Sequence, residues 1–248
     1  MNTKILSSWA GMRRLSLAAF FLSAALLFTL ATPASADDKQ EATQFVEKAQ
    51  MTLQSFMTDS SMGAFRDLIR EARGVLVIPQ LLKGAFVIGA SGGSGVLLVR
   101  DGKADRWFGP GFYTVGGASF GFQIGGQASE VVLLAMTERG VTSMMANSFK
   151  LGADAGVAAG PVGVGIAAST ANLSADILTF SRSKGLYGGI SLDGAVVATR
   201  GGLNEAYYGK EVTPTDIFVR REVTNPQAKG LISEVTKLAC SGGPTGSC

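Results

Sequence analysis

The chain has 248 residues, 46% of them hydrophobic and 17% charged, with 22 basic against 19 acidic side chains. That is enough chain for one domain with a sizeable core, and too little net charge for a general nucleic-acid binder. Histidine is absent, which excludes Ser-His-Asp and Cys-His catalysis and histidine metal ligation.

Residues 1–36 read as an export signal. Lys4, Arg13 and Arg14 form a basic start, Leu15 to Ala31 is apolar, and Ala34-Ser35-Ala36 is a small-x-small cleavage site. An uncleaved membrane anchor is the alternative, and Arg13-Arg14 raises twin-arginine export beside the general route. Beyond residue 36 the basic and acidic side chains are equal in number. The basic excess therefore belongs to the signal. The expected destination is the periplasm or the outside of the cell, peripheral to a membrane.

Asp38 to Met57 places Ala42, Phe45, Val46, Ala49, Leu53, Phe56 and Met57 at three- and four-residue spacing, an amphipathic helix. Its apolar face packs on a core, or alternatively lies on a membrane surface. Thr58 to Ser61 breaks it, and a second short helix is expected from Met62 to Ala72. Residues 37–73 are thus an N-terminal helical segment, with Arg66, Arg70 and Arg73 toward its end.

From Gly74 the period changes to two. Strands are expected at Val75–Ile78, ended by Pro79, then at Ala85–Gly89 and Val96–Arg100, with Asp101-Gly102 as a hairpin turn. Trp107 to Gly140 is read as two further strands. In the first, Phe120, Phe122 and Ile124 share one side, and Ser119, Gly121, Gln123 and Gly125 the other. A face so bare needs close packing, against backbone or against a ligand. A short helix over Arg139–Phe149, strands at Asp176–Phe180, within Leu186–Thr199 and at Ile217–Arg220, and helices at Asn204–Tyr208 and Pro226–Leu238 complete the pattern. The fold class is α+β: a single domain over residues 74–240 with a glycine-rich, mainly antiparallel β-sheet core, flanked by N- and C-terminal amphipathic helices. Residues 241–248 form a flexible tail. Its Cys248 and the nearby Cys240 either pair in an oxidising compartment or stay free.

Several catalytic patterns fail on their chemistry. Gly117-Ala118-Ser119-Phe120-Gly121 and Gly89-Ala90-Ser91-Gly92-Gly93 match the G-x-S-x-G elbow, but an elbow needs a strand-to-helix turn and a histidine base. Ser181-Arg182-Ser183-Lys184 matches S-x-x-K, but a Ser-Lys pair needs a buried lysine, and this stretch reads as a polar turn. Gly152, Gly156 and Gly160 stand four apart, yet Pro161 interrupts the run that follows. No cofactor motif is present, and the chain is expected not to be an enzyme.

The central stretch Gly116-Gly117-Ala118-Ser119-Phe120-Gly121-Phe122-Gln123-Ile124-Gly125-Gly126-Gln127, followed by Glu138-Arg139-Gly140, resembles the SYLF family, also called Ysc84-like. Ala72-Arg73-Gly74-Val75 upstream fits the same pattern. So do Leu151 to Ala155, Ser181 to Tyr187 and Tyr207-Tyr208-Gly209 downstream. The resemblance implies a non-enzymatic protein. Eukaryotic members bind phosphoinositide membranes, and some bind actin; bacterial members are exported and described as lipid-binding. A phospholipid or membrane surface is therefore the expected partner, and an envelope protein-protein or structural role the alternative. The residues expected to meet lipid are Phe45 and Phe56 by insertion, with Arg66, Arg70, Arg73, Lys83, Arg182 and Lys184 facing anionic headgroups.

Overall fold

The computed structural model describes residues 34–102, 105–161, 174–183, 186–187 and 192–240; for residues 34–36, 85–88, 119–125 and 186–187 it describes the backbone. Inter-residue contacts separate Met1–Asp37 from a compact unit, Asp38–Cys248. The second unit carries the sheet and the helices that flank it.

Two strands dominate it. β1 (Gly74–Asp101) and β2 (Arg106–Ala135) form one antiparallel hairpin, closed at the Asp101-Gly102 turn and paired through to Gly74↔Ala135. The three strands expected between Val75 and Arg100 are one strand. Pro79 does not end it, because a bulge between Ile78 and Leu81 absorbs the missing donor. Among the described residues β3 (Ser148–Lys150), β4 (Val157–Ala159), β5 (Ile177–Ser183), β6 (Leu186–Tyr187) and β7 (Val196–Thr199) complete a seven-stranded sheet. β5 pairs with the last residues of β2, and β7 with Tyr113–Gly116 near its start. Among the described strand pairs only β4 against β5 is parallel.

The hairpin folds over on itself. The Arg100 N–H donates to the Arg73 carbonyl at 2.8 Å, so the two ends of β1 lie side by side. A Cβ at Gly95 would sit 3.0 Å from Ile78 Cγ1 and 3.1 Å from the Val77 carbonyl, and one at Gly93 only 2.5 Å from the Gln80 carbonyl. The ribbon between Gln80 and Gly93, with its partner Val115 to Ser129, must therefore turn back through roughly its midpoint. The turn is permitted because the concave side carries glycine.

Folding the ribbon buries both faces of its two halves. Val75, Val77, Val96, Leu98, Val132 and Leu134 point into one core, while Leu76, Ile78, Leu97, Val99, Val131 and Leu133 point into a second. This explains apolar runs without polar alternation at Val75–Ile78 and Val131–Ala135. The first core is closed by α1 (Ala34–Thr58), α2 (Gly63–Leu68), α4 (Gly201–Tyr208) and α5 (Lys229–Cys240). The second is closed by α3 (Glu138–Met144), by Phe149 and Leu151, and by Ile217 and Phe218. The architecture is α+β, with helices flanking a mainly antiparallel sheet.

One expected strand is not one. Thr215–Arg220 forms a π-helical turn, in which the Asp216 carboxylate accepts from the Thr213 N–H at 2.9 Å and the Thr213 hydroxyl at 2.6 Å. That local capping outweighs the strand preference of Ile217, Phe218 and Val219.

Candidate functional site

The helix expected at Asp38–Met57 is packed on the domain. Ala42, Val46, Ala49, Leu53 and Phe56 are all buried, and Phe45 is partly buried against the same core. Phe56 stacks edge-on to Phe65 at 5.3 Å, and Phe65 in turn to Phe180 at 5.3 Å. In this conformation Phe56 is therefore a core residue and not an insertion residue. Its three- and four-residue spacing serves burial against β5.

Among the described residues the expected cations do not form one patch. Arg66 and Arg182 meet at the C-terminal end of α1. Arg66 Nη1 donates to the carbonyls of Met57 at 3.2 Å and Asp59 at 2.7 Å, while Arg182 Nη1 donates to that of Ser55 at 3.2 Å. Both satisfy carbonyls that a helix end leaves without partners, and both suit the negative end of the helix dipole. Arg70 lies 3.7 Å from Asp67, and Arg73 pairs with Glu138. Lys83 is half-buried in β1 opposite Gln127. Lys184 lies outside the described residues. Cys240, at the end of α5, is not a free thiol, and Cys248 lies outside the described residues.

The G-x-S-x-G matches sit within the hairpin. Gly89 pairs with Ser119, and Ser91 with Gly117, so the two motifs lie across from each other on adjacent strands. Neither occupies a strand-to-helix turn. Ser181 is buried in β5 and Ser183 pairs with Leu186 of β6, so the motif begins inside a strand, and the connection to the next strand falls at residues 184–185, outside the described residues.

What the structure brings together, and the sequence did not signal, is a cleft of about 690 Å³ beside α1. Lys48, Met51 and Thr52 form one wall, Pro79 and Gln80 at the β1 bulge another, and Ala128 to Glu130 with Arg182 the floor. Glu130 holds the floor together: it lies 3.1 Å from Arg182 Nε and accepts from the Ser55 hydroxyl at 3.3 Å and the Thr52 hydroxyl at 3.5 Å. Asp59 lies 3.9 Å from Arg182 on the other side. The floor is thus polar, with two carboxylates, Glu130 and Asp59, about the one guanidinium of Arg182. Exposed Met51 and Lys48 stand at the mouth. No sequence motif marks this place, because its residues come from four elements.

Two other polar nodes are structural. Asp176 takes the Thr137 hydroxyl at 2.6 Å and the Gly156 N–H at 2.9 Å, while Thr137 caps α3 through the Gly140 N–H. The Thr137 and Gly156 hydrogen bonds, with the Arg139 charge nearby, hold the Asp176 carboxyl below the usual carboxylate value. Asn204, fully buried, accepts the Phe112 N–H at 2.8 Å and donates to Thr199 Oγ1 at 3.1 Å. Burial pushes the Tyr113 and Tyr207 phenols up, so both stay neutral. Among the described residues no cluster of three or more potential metal ligands occurs, and no helix is long and apolar enough to cross a membrane.

The cleft is amphiphilic, apolar walls over a polar floor, and offers the contact surface of a binding domain. Comparison with known proteins agrees. Residues 116–238 match the family model for Ysc84, described as Las17-binding protein actin regulator. SH3 domain-containing YSC84-like protein 1 of Xenopus laevis is 33% identical over 66% of this chain and 50% of its own length. Protein YSC84 of Saccharomyces cerevisiae is 30% identical over 75% of the chain and 41% of its own length. LAS seventeen-binding protein 3 of the same yeast is 29% identical over 81% and 46%. The chain belongs to the Ysc84 family, a family of binding and regulatory proteins. It spans about half the length, or less, of these curated relatives.

Proposed function

We propose that the chain is an exported, non-enzymatic module that binds phospholipid at a membrane surface. The observation that carries this reading is the cleft beside α1. Its walls are apolar at Met51 and Pro79, Ala128 adds an apolar strip to a floor where Arg182 meets Glu130 and Asp59, and Lys48 stands exposed at its mouth. An amphiphile matches that order: chain against the walls, anionic headgroup beside the lysine. The export pattern of residues 1–36 supports a site of action outside the cytoplasm.

The electrostatic part of the binding is modest. Surface cations contribute about 1 kcal/mol each near an anionic membrane. Arg66, Arg73 and Arg182 are already engaged within the fold. Apolar contact must then carry most of the affinity. The test is flotation of residues 38–248, the compact unit, with phosphatidylglycerol-containing vesicles at low salt. Co-flotation that weakens in Met51→Glu is expected. Absence of flotation at every vesicle composition tried refutes the reading.

A second reading follows from the family description and from the name LAS seventeen-binding protein 3: the same surface takes a protein partner in the cell envelope. A stable stoichiometric complex formed without lipid favours it over the first.

A further inference from the structure

The charges of the cleft beside α1 are unevenly ordered from mouth to floor. Among its described lining residues Lys48 and Arg182 are positive, Asp59 and Glu130 negative. Both carboxylates lie about Arg182: Glu130 is 3.1 Å from Nε and Asp59 3.9 Å from Nη1. The same guanidinium donates to the Ser55 carbonyl at 3.2 Å. Arg66 reaches the Asp59 carbonyl but is not part of the lining. Lys48 has no ion pair among the described residues, and its ammonium lies 5.9 Å from the centre of the Phe45 ring. The floor thus holds one carboxylate more than guanidinium, and the mouth holds a lysine. The lining is neutral as a whole and polarised along its depth, negative below and positive above.

Glu130 is oriented by its neighbours. The Ser55 hydroxyl donates to Oε2 at 3.3 Å, the oxygen nearest Arg182, and the Thr52 hydroxyl reaches Oε1 at 3.5 Å. Oε1 therefore makes one long hydrogen bond where a carboxylate oxygen accepts two. The side chain is 31% exposed, so a donor entering the cleft can reach it. The described lining contains no aromatic residue. A quaternary ammonium is recognised by aromatic faces, whereas a primary ammonium is recognised by acceptors. A headgroup with net negative charge would set its surplus against Glu130 and Asp59.

We infer that the cleft selects a zwitterionic phospholipid with a primary ammonium, a phosphatidylethanolamine. Its ammonium donates to Glu130 Oε1 at the floor, its phosphate pairs with Lys48, and its acyl chains leave past Met51 and Pro79. The inference rests on the lipid reading above and names the headgroup for that same site. Lys48 attracts any phosphate, so it contributes affinity without choice. Glu130 makes the choice, because a methylated ammonium displaces water from the carboxylate and returns fewer N–H donors. Met51, 58% exposed, stands where the chains pass from the cleft to the bilayer.

The experiment uses residues 38–248 and dihexanoyl phospholipids below their micellar concentrations, so that bilayer curvature and surface potential play no part. Isothermal titration compares phosphatidylethanolamine, its N-methylated series up to phosphatidylcholine, and phosphatidylglycerol. Phosphatidylethanolamine should bind about tenfold more tightly than phosphatidylcholine or phosphatidylglycerol, with affinity falling along the series as N–H donors are removed. Glu130→Gln should bring the ratio of phosphatidylethanolamine to phosphatidylcholine affinity close to one, while Lys48→Ala weakens both by a similar factor. If Glu130→Gln does not fold, the methylation series in the unsubstituted protein decides. Equal affinities along the series, tighter binding of phosphatidylglycerol, or a preference that survives in folded Glu130→Gln overturns the headgroup inference. Vesicle flotation in any of these cases leaves the lipid reading standing. Flotation without binding of any short-chain lipid also overturns the inference, since a headgroup site in the cleft needs no bilayer. Neither flotation nor short-chain binding removes both readings.

Discussion

Gly93→Ala tests the fold-over of the ribbon directly. The added Cβ would stand 2.5 Å from the Gln80 carbonyl oxygen, 3.2 Å from Ile78 Cγ2 and 3.3 Å from Leu81 Cα. Two of these three atoms are backbone, so relief requires the ribbon halves to separate by a good part of an ångström. Overpacking of this kind costs about 1–3 kcal/mol. Against it stands the gain of about 0.4–1 kcal/mol from restricting the unfolded chain. The net loss is roughly 1–2 kcal/mol, which for a domain of this size lowers the midpoint by about 2–8 °C. Gly116→Ala is the matched control: it is exposed, and a Cβ there meets nothing within 4 Å. It should be neutral, or stabilise by up to about 1 kcal/mol. Thermal and urea unfolding of both variants, followed by circular dichroism, gives the comparison. Equal midpoints for the two, or a rise with Gly93→Ala, would show that the two halves do not approach at backbone distance.

Phe56→Ala should lose about 3–5 kcal/mol in urea unfolding, since the ring is fully buried against Phe65; a small loss would mean that α1 is not an integral part of the core. Asn204→Ala strands the buried Phe112 N–H and should cost about 1–3 kcal/mol in the same assay. The Asp176 carboxyl titrates lower in the folded protein than in the unfolded chain. Its contribution is therefore complete above the ordinary carboxylate value, and is lost as pH falls from there through the depressed folded value. Asp176→Asn should be less stable than the parent at neutral pH and converge with it in acid. A constant gap in stability down to low pH would refute that assignment.

Much of the architecture was legible because it rests on local periodicity. The helix over Asp38–Met57, the Asp101-Gly102 turn and the closing helix near Pro226–Leu238 all follow from spacing and turn chemistry. The family was legible in the ordered glycine pattern around Phe120. Three features were not. Pro79 looked like a strand end, because a bulge that accommodates it leaves no local mark. Ile217 to Arg220 had strand composition, and the Asp216–Thr213 capping prevailed. The cleft draws on α1, β1, β2 and β5, and an arrangement of that kind exists only after folding. The basic residues were visible singly. That Arg66 and Arg182 converge on the end of α1, where helix carbonyls occupy them, was a tertiary fact.

A single short connection, between Asp101 and Arg106, governs an unusually large share of this sheet. Once Asp101 and Arg106 pair, each later pair in the hairpin forms beside one already made, out to Gly74 and Ala135. The chain thereby brings distant residues together by zipping, without a separate long loop closure for each contact. β5 and β7 then have a finished edge on which to dock. The order of assembly should accordingly run from the turn outward, with hydrogen exchange protecting the amides near Val99 and Trp107 before those of β5 during refolding. A lengthened turn would slow the whole sheet and not merely its own end.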